Sequence, residues 1–138
     1  MKFDYLKVPQ EDSPSALWLL KPHVKVRLSA GSKSVGVFAL IDSGADASLF
    51  HASLAEVLGL DLASGMEHRF FGIEGKPIIA YFHKVRLQLV GLPGSLDIAV
   101  AFTKSEGVGA LLGQADFFQH YKVTFERYKE RMEISPVN

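Results

Sequence analysis

Apolar and polar residues alternate over three stretches of this sequence, and that alternation constrains the fold more than any other feature. The apolar members of the three stretches are Val24, Val26 and Leu28; Val85, Leu87 and Leu89; and Leu96, Ile98, Val100 and Phe102. A period of two residues puts alternate side chains on one face of a β-strand, so each stretch predicts a strand with one buried face. Glycine-containing turns at residues 30–33 and 91–94 favour short strands. We therefore expect a mostly β fold, a small closed barrel with two short helices.

The chain is long enough for one domain with a substantial core. Its 138 residues are 48% apolar and 22% charged, which is typical of a soluble globular protein. Residues 1–21 contain Pro9 and Pro14 and lack a clear period, so they are predicted to form an N-terminal arm. The remaining residues, 22–138, are predicted to form the domain.

Charge and composition argue against several classes of partner and chemistry. Fifteen Lys and Arg balance fifteen Asp and Glu, which disfavours the positive field that binds nucleic acid or an anionic membrane. No stretch approaches the ~20 apolar residues of a membrane span, and residues 1–12 lack the apolar core of a secretory signal. The sequence contains no Cys, which excludes thiol chemistry, and its five His residues lack metal-binding spacing. We expect a cytoplasmic protein without a metal or cofactor.

A strand of a different kind leads to the residues that carry chemistry. Residues 35–41 begin half-apolar and end wholly apolar, which predicts a strand running from the rim into the core. Asp42-Ser43-Gly44-Ala45-Asp46 follows directly. A carboxylate at the end of a buried strand is costly unless its charge is used or satisfied. Ser43 adds a hydroxyl beside it, and Gly44 permits the close approach of a backbone or ligand.

Further elements follow this segment in a fixed order, each with its own local signal. They are a helix over residues 52–58 that stops at Gly59, a hairpin over residues 69–79 with a tip at 72–75, an apolar strand ending in Leu111-Leu112-Gly113, a second short helix over residues 115–121, and a final hairpin over residues 122–134.

The apolar strand with Asp-Ser-Gly, the glycine-tipped hairpin and the later Leu-Leu-Gly resemble, in this order, the retropepsin-like aspartic proteases. These are the retroviral proteases and their single-domain relatives, and the resemblance covers residues 22–134. It implies an acid-protease barrel with one lobe per chain. Because Asp-Ser-Gly occurs once, it also implies a homodimer whose active site lies at the two-fold axis. The implied activity is an aspartic endopeptidase that cleaves polypeptide substrates through a water activated by Asp42 of each subunit, without metal or cofactor.

The resemblance further implies a role for each residue of the site. Asp42, Ser43 and Gly44 form the catalytic loop, in which Ser43 bonds across the dimer axis and Gly44 presents its backbone to carboxylate and substrate. The implied substrate-binding residues are Ala45 and Asp46, together with Gly72, Ile73, Glu74 and Gly75 of a flap that closes over the substrate. The implied supporting residues are Leu111, Leu112 and Gly113.

Two positions depart from the family pattern and leave alternatives open. Gln114 stands where retroviral members often carry an Arg paired with the acid matched by Asp46, and Glu74 places a charge at the flap tip. These departures suit a second function, a dimeric peptide-binding or scaffold module of the same fold. A hydrolase with Ser43 as nucleophile is a third, although the Gly-x-Ser-x-Gly turn is missing. In a purely structural interpretation, Asp42 accepts hydrogen bonds in a turn, and Asp46 and Asp116 cap helix starts.

Overall fold

The computed structural model describes residues 1–9, 18–71 and 75–137, and over these residues the chain is mostly β, as predicted. The strands are β1 (Lys2–Asp4), β2 (Leu6–Pro9), β3 (Trp18–Lys21), β4 (His23–Ala30), β5 (Lys33–Ile41), β6 (Leu49–His51), β7 (Met66–Phe71), β8 (Pro77–Leu89), β9 (Leu96–Thr103), β10 (Leu111–Leu112), β11 (Tyr121–Glu126) and β12 (Arg131–Pro136). The helical segments are α1 (Ala52–Val57), a π-helical segment (Gln114–Phe118), and 3₁₀ turns at Leu62–Ser64 and Arg127–Lys129.

The predicted alternation determines which side chains reach the core. In β4, Val24, Val26 and Leu28 are buried while Lys25 and Arg27 between them are exposed. In β8, Val85, Leu87 and Leu89 are buried. β9 alternates as predicted only as far as Val100: Ala101 and Thr103 are buried as well as Phe102, because this end of β9 lies between β6 and β8 and Ala101 packs with Leu49 and Ala80. The strand from the rim into the core is also confirmed, since β5 starts exposed and ends buried at Ile41.

A main sheet has the strand order β4-β5-β10-β6-β9-β8-β7. β4 pairs in addition with the last residues of β8, from Val26 opposite Leu89 to Ser29 opposite Arg86. The pairings therefore lead from β4 through five other strands and back to β4. Most neighbours are antiparallel, but β10 runs parallel to β5 and β9 runs parallel to β6.

The two residues of β10 are inserted between strands that are close in sequence. Leu111 lies opposite Leu40 of β5 on one side and Leu49 of β6 on the other, and Leu112 lies opposite Ile41. The insertion brings the C-terminal end of β5 beside the chain that follows Leu112. Asp42, the first residue after β5, lies at this point.

The described parts of the N-terminal segment, before and after the undescribed residues 10–17, form strands that pair with other strands. β1 pairs with β12 and extends the predicted C-terminal hairpin of β11 and β12 into a three-stranded sheet. β2 and β3 form a two-stranded sheet of their own. The first residues thus lie against the last ones.

The first predicted helix is confirmed, and the second differs from its prediction. α1 ends with the backbone N–H of Gly59 donating to Glu56 and that of Leu60 donating to Ala55, and Gly59 has a φ of +72°. The second helix was expected at residues 115–121, but it is a π-helical segment that begins at Gln114 and stops at Phe118, because β11 starts at Tyr121. No helix within the described segments combines the length and apolar character needed to span a bilayer.

Candidate active site

Asp42 is the first residue after β5, and the backbone of β10 holds it in place. Its N–H donates to the carbonyl oxygen of Leu112 at 3.0 Å. Its side chain is half-buried, whereas Ile41 before it is buried in the core. The carboxyl group therefore lies at the boundary between the core and the surface, on a backbone that two neighbouring strands hold.

The loop after Asp42 bends back on its carboxyl group. The N–H of Gly44 donates to Oδ1 of Asp42 at 2.9 Å, and the N–H of Ala45 donates to its carbonyl oxygen at 3.2 Å. A Cβ at Gly44 would lie 3.2 Å from Oδ1 of Asp42, tighter than most such contacts. Ser43 and Gly44 are exposed, so this loop presents backbone and hydroxyl groups to solvent beside the carboxylate.

The segment after β10 holds the same loop from its other side. The side-chain amide of Gln114 donates to the carbonyl oxygen of Ser43 at 2.7 Å. The backbone N–H of Gln114 donates to the carbonyl oxygen of Ala45 at 2.9 Å, and the N–H of Ala115 donates to the carbonyl oxygen of Asp46 at 2.8 Å. The sequence singled out Gln114 only as a departure from a pattern; in the structure it is a direct contact of the loop.

Gly113 makes the close approach between these two segments possible. A Cβ built on it would lie 2.6 Å from the carbonyl carbon and oxygen of Ala47 and 2.8 Å from the carbonyl oxygen of Ala45. Side chains do not tolerate such contacts with backbone, so this position requires glycine. Leu112 is fully buried and Leu111 is half-buried.

A buried polar pair that sequence reasoning missed lies behind the loop. The hydroxyl and the backbone N–H of Ser48 both donate to the carboxyl group of Asp116, the latter at 2.8 Å. Burial raises the pKa of Asp116, while the hydrogen bonds from Ser48 act in the opposite direction. The helix-cap interpretation of Asp46 and Asp116 is wrong, because α1 is capped by the side chain of His51 and the π-helical segment has Gly113 at its start without a side-chain cap.

The loop faces a cleft of about 480 Å³ whose opposite wall is the predicted hairpin. β7 and β8 form its two arms, with Phe71 opposite Pro77. The lining residues are Asp42, Gly44, Ala45, Asp46, Ala47, Leu49, His68, Arg69, Phe70, Phe71, Ile78 and Leu111. Gly75 has a φ of +75°, as a turn requires, and the predicted tip residues Gly72, Ile73 and Glu74 lie outside the described residues.

Aromatic rings stiffen the hairpin wall. His68 lies edge-on to Phe70 with ring centroids 4.6 Å apart, and Phe82 is 6.0 Å from Phe70. Phe71, at the end of β7, is 72% exposed. The wall opposite Asp42 is therefore largely aromatic and apolar, with Arg69 adding a positive charge.

The described clefts differ in what they can do chemically. A larger hollow of about 540 Å³ lies along the first residues of β8, Pro77 to Tyr81, between the turn at Leu62–Ser64 and the residues after β9, and the Asp-Ser-Gly segment does not line it. We assign the candidate site to the smaller cleft, because a carboxylate and exposed backbone groups converge there. No group of three His, Asp or Glu side chains within the described ranges is arranged to hold a metal ion.

No protein-family model and no curated protein matches this chain.

Proposed function

We propose that the chain is a homodimeric aspartic endopeptidase of the retropepsin-like kind. The observation that carries the proposal is the position of Asp42. Its carboxyl group accepts a hydrogen bond from the N–H of Gly44 and lies at the edge of a cleft that the β7–β8 hairpin covers from the other side. One chain supplies one such carboxylate, because Asp-Ser-Gly occurs once. A second copy related by two-fold symmetry would supply the other.

The proposed fold is the closed barrel of the acid proteases, with one lobe per chain. The return pairing of β4 with β8 supports it, because the strand order then has no free edge between these two strands. The insertion of β10 beside β5 supports it as well, since it places Gly113 and Gln114 against the catalytic loop.

In the proposed mechanism the two Asp42 carboxyl groups share one proton. Two carboxylates about 3 Å apart do not both ionise readily, so one stays ionised and the other protonated. The ionised group takes a proton from a bound water, which attacks the carbonyl carbon of the scissile peptide bond. The protonated group donates a hydrogen bond to the carbonyl oxygen, and a proton is then delivered to the leaving amine as the C–N bond breaks.

The surrounding residues have binding roles in this proposal. The exposed residues Gly44 and Asp46 offer the Gly44 carbonyl oxygen and the Asp46 N–H to the main chain of an extended polypeptide, and Ala45 lines the cleft between them. The aromatic wall of the hairpin accepts the apolar side chains of the polypeptide. Ser43 bonds across the dimer axis. The hairpin closes over the substrate and excludes water. Gln114 replaces the Arg of the family pattern with an uncharged brace, since it bonds the backbone of Ser43 directly.

The proposed enzyme is cytoplasmic and acts on polypeptides rather than nucleic acids or membranes. Balanced charge supports the choice of substrate, because fifteen basic and fifteen acidic residues leave no net attraction for polyanions. The lack of Cys suits a reducing compartment.

Incubation with an unstructured polypeptide from acid to neutral pH, with and without an active-site aspartyl inhibitor, tests the proposal. We expect cleavage that the inhibitor blocks. As a matched control, Asp97→Asn removes an exposed carboxylate that pairs with Arg86 and should leave cleavage unchanged. Binding without cleavage would instead assign the chain to the peptide-binding class, and cleavage blocked only by serine-directed reagents would assign it to Ser43.

A further inference from the structure

A carboxyl group that the proposed mechanism does not use lies buried directly behind the catalytic loop. Asp116 is 6% exposed, and Ser48, its partner, is fully buried. Both donors of Ser48 point at this carboxyl group. A buried carboxyl is retained at a cost unless its hydrogen bonds do something that an apolar side chain would not.

The hydrogen bonds of this pair continue to Asp42. Besides donating to Asp116, the hydroxyl of Ser48 accepts the N–H of Gly113 at 3.1 Å. Gly113 follows Leu112, whose carbonyl oxygen accepts the N–H of Asp42 at 3.0 Å. The Leu112 carbonyl and the Gly113 N–H belong to the same peptide unit. Two hydrogen bonds, from Ser48 to Asp116 and from Gly113 to Ser48, thus connect the buried carboxyl group to the peptide unit that accepts the N–H of Asp42.

The π-helical segment explains why the carboxyl group can reach this position. The N–H groups of both Phe117 and Phe118 donate to the carbonyl oxygen of Gly113, and the bond from Phe118, five residues on, widens the turn. A widened turn accommodates one more residue than an α-helical one. As a result Gln114 and Ala115 direct their N–H groups toward the loop at Ala45 and Asp46, while Asp116 is turned inward to Ser48.

We propose that Asp116 is a positioning residue for the Asp42 loop. Through Ser48 it orients the segment from Leu112 to Ala115, whose hydrogen bonds hold residues 42–46, and it thereby sets the rate of the peptidase reaction. The inference rests on the proposed function for its effect on turnover, but the effect on the loop is independent of that function.

The test combines kinetics with backbone amide exchange measured by NMR on the full chain. Asp116→Asn keeps the shape of the side chain but turns one acceptor into a donor that faces the Ser48 hydroxyl. Ser48→Ala removes the hydroxyl alone. Ile134 is a buried residue of β12, in the three-stranded sheet. Ile134→Val is the control for a loss of packing that leaves the loop untouched.

We expect Asp116→Asn to lower kcat on the order of 10²-fold with KM little changed, as misplacement of a catalytic group does. The amides of Asp42, Gln114 and Ala115 should exchange faster relative to Val26 in β4. Ser48→Ala should have a similar effect, and combining the two substitutions should add little, because both break the same connection. Ile134→Val should leave kcat and the relative exchange of the loop unchanged.

An unchanged kcat in folded Asp116→Asn, or losses that multiply fully in the double variant, would overturn the proposal. If Asp116→Asn does not fold, Ser48→Ala and its amide exchange decide. A parent chain without peptidase activity would contradict the proposed function, and the exchange rates would still decide whether Asp116 holds the loop.

Discussion

Single residues decide whether the Asp42 loop can close, and Gly113 is the clearest case. Gly113→Ala would place a Cβ 2.6 Å from the backbone of Ala47, so the β10 connection or the loop must shift. We expect a loss of about 1–3 kcal/mol in the free energy of unfolding, as overpacking costs. Urea unfolding measures it.

Gly107→Ala is the matched control, since a Cβ there meets nothing within 4 Å. It should change the free energy of unfolding by less than about 0.5 kcal/mol. Equal stability of the two variants would contradict the close approach at Gly113.

His23 is the residue from which a pH dependence of stability follows. Burial first, and then the charge of Lys21, lowers its pKa in the folded protein. The fold thus favours the neutral ring. The stability that His23 contributes is complete above the unfolded pKa of about 6.5 and is lost as the pH falls through the lower folded pKa. In His23→Gln this part of the acid destabilisation should disappear. Urea unfolding of parent and variant from neutral to acid pH checks it, and a stability difference that is constant with pH would contradict it.

At the scale of elements, the end of α1 is determined by one backbone conformation. Gly59 has a φ of +72°, which non-glycine residues adopt at a cost of roughly 1–2 kcal/mol. Gly59→Ala should lower the free energy of unfolding by about that amount, and Gly59→Asn by less, because Asn tolerates this region. Thermal unfolding of both variants measures the order, and Asn being worse than Ala would contradict the conformational explanation.

Elements whose signal is local could be predicted from the sequence, and those that depend on distant partners could not. β4, β8 and β9 carry a period of two in their own residues, and α1 carries its glycine stop. The π-helical segment has no such signal: its shape follows from contacts of residues 113–116 with residues 45–48, about 70 positions away in sequence. The same holds for the return pairing of β4 with β8.

The candidate site divides in the same way. Asp42 and Gly44 were identified because residue type restricts them, a carboxylate after an apolar strand and a glycine that permits a close approach. Gly113 was identified only through the resemblance, and its close approach to Ala45 and Ala47 is seen in the structure. Ser48 and Asp116 were missed as a pair, because neither position reveals a partner 68 residues away. Isolated polar residues of this kind fit surface turns and helix caps equally well.

For the molecule as a whole, the proposal requires that two chains contribute to one active site. Mixing parent with folded Asp42→Asn, followed by exchange of subunits, should therefore inhibit. In an equal mixture about one quarter of the dimers contain two parent chains, so activity per parent chain should fall by about half. Addition of an inert protein at the same concentration is the control. Activity per parent chain that does not change would mean that each chain acts alone.

Turnover of one peptide by parent and Asp42→Asn tests the proposed peptidase most directly. The amide has nearly the shape of the carboxyl group but does not act as a general base, so fold and dimer content, checked by circular dichroism and sedimentation, should be retained. Loss of general-base assistance alone lowers kcat by typically ~10²–10⁴-fold, and loss of the pair should lower it further. We expect Asp42→Asn to be folded and dimeric, with kcat lowered by at least that factor. A folded, dimeric Asp42→Asn that cleaves the peptide at the parent rate would contradict the role of Asp42 and, with it, the assignment as an aspartic peptidase.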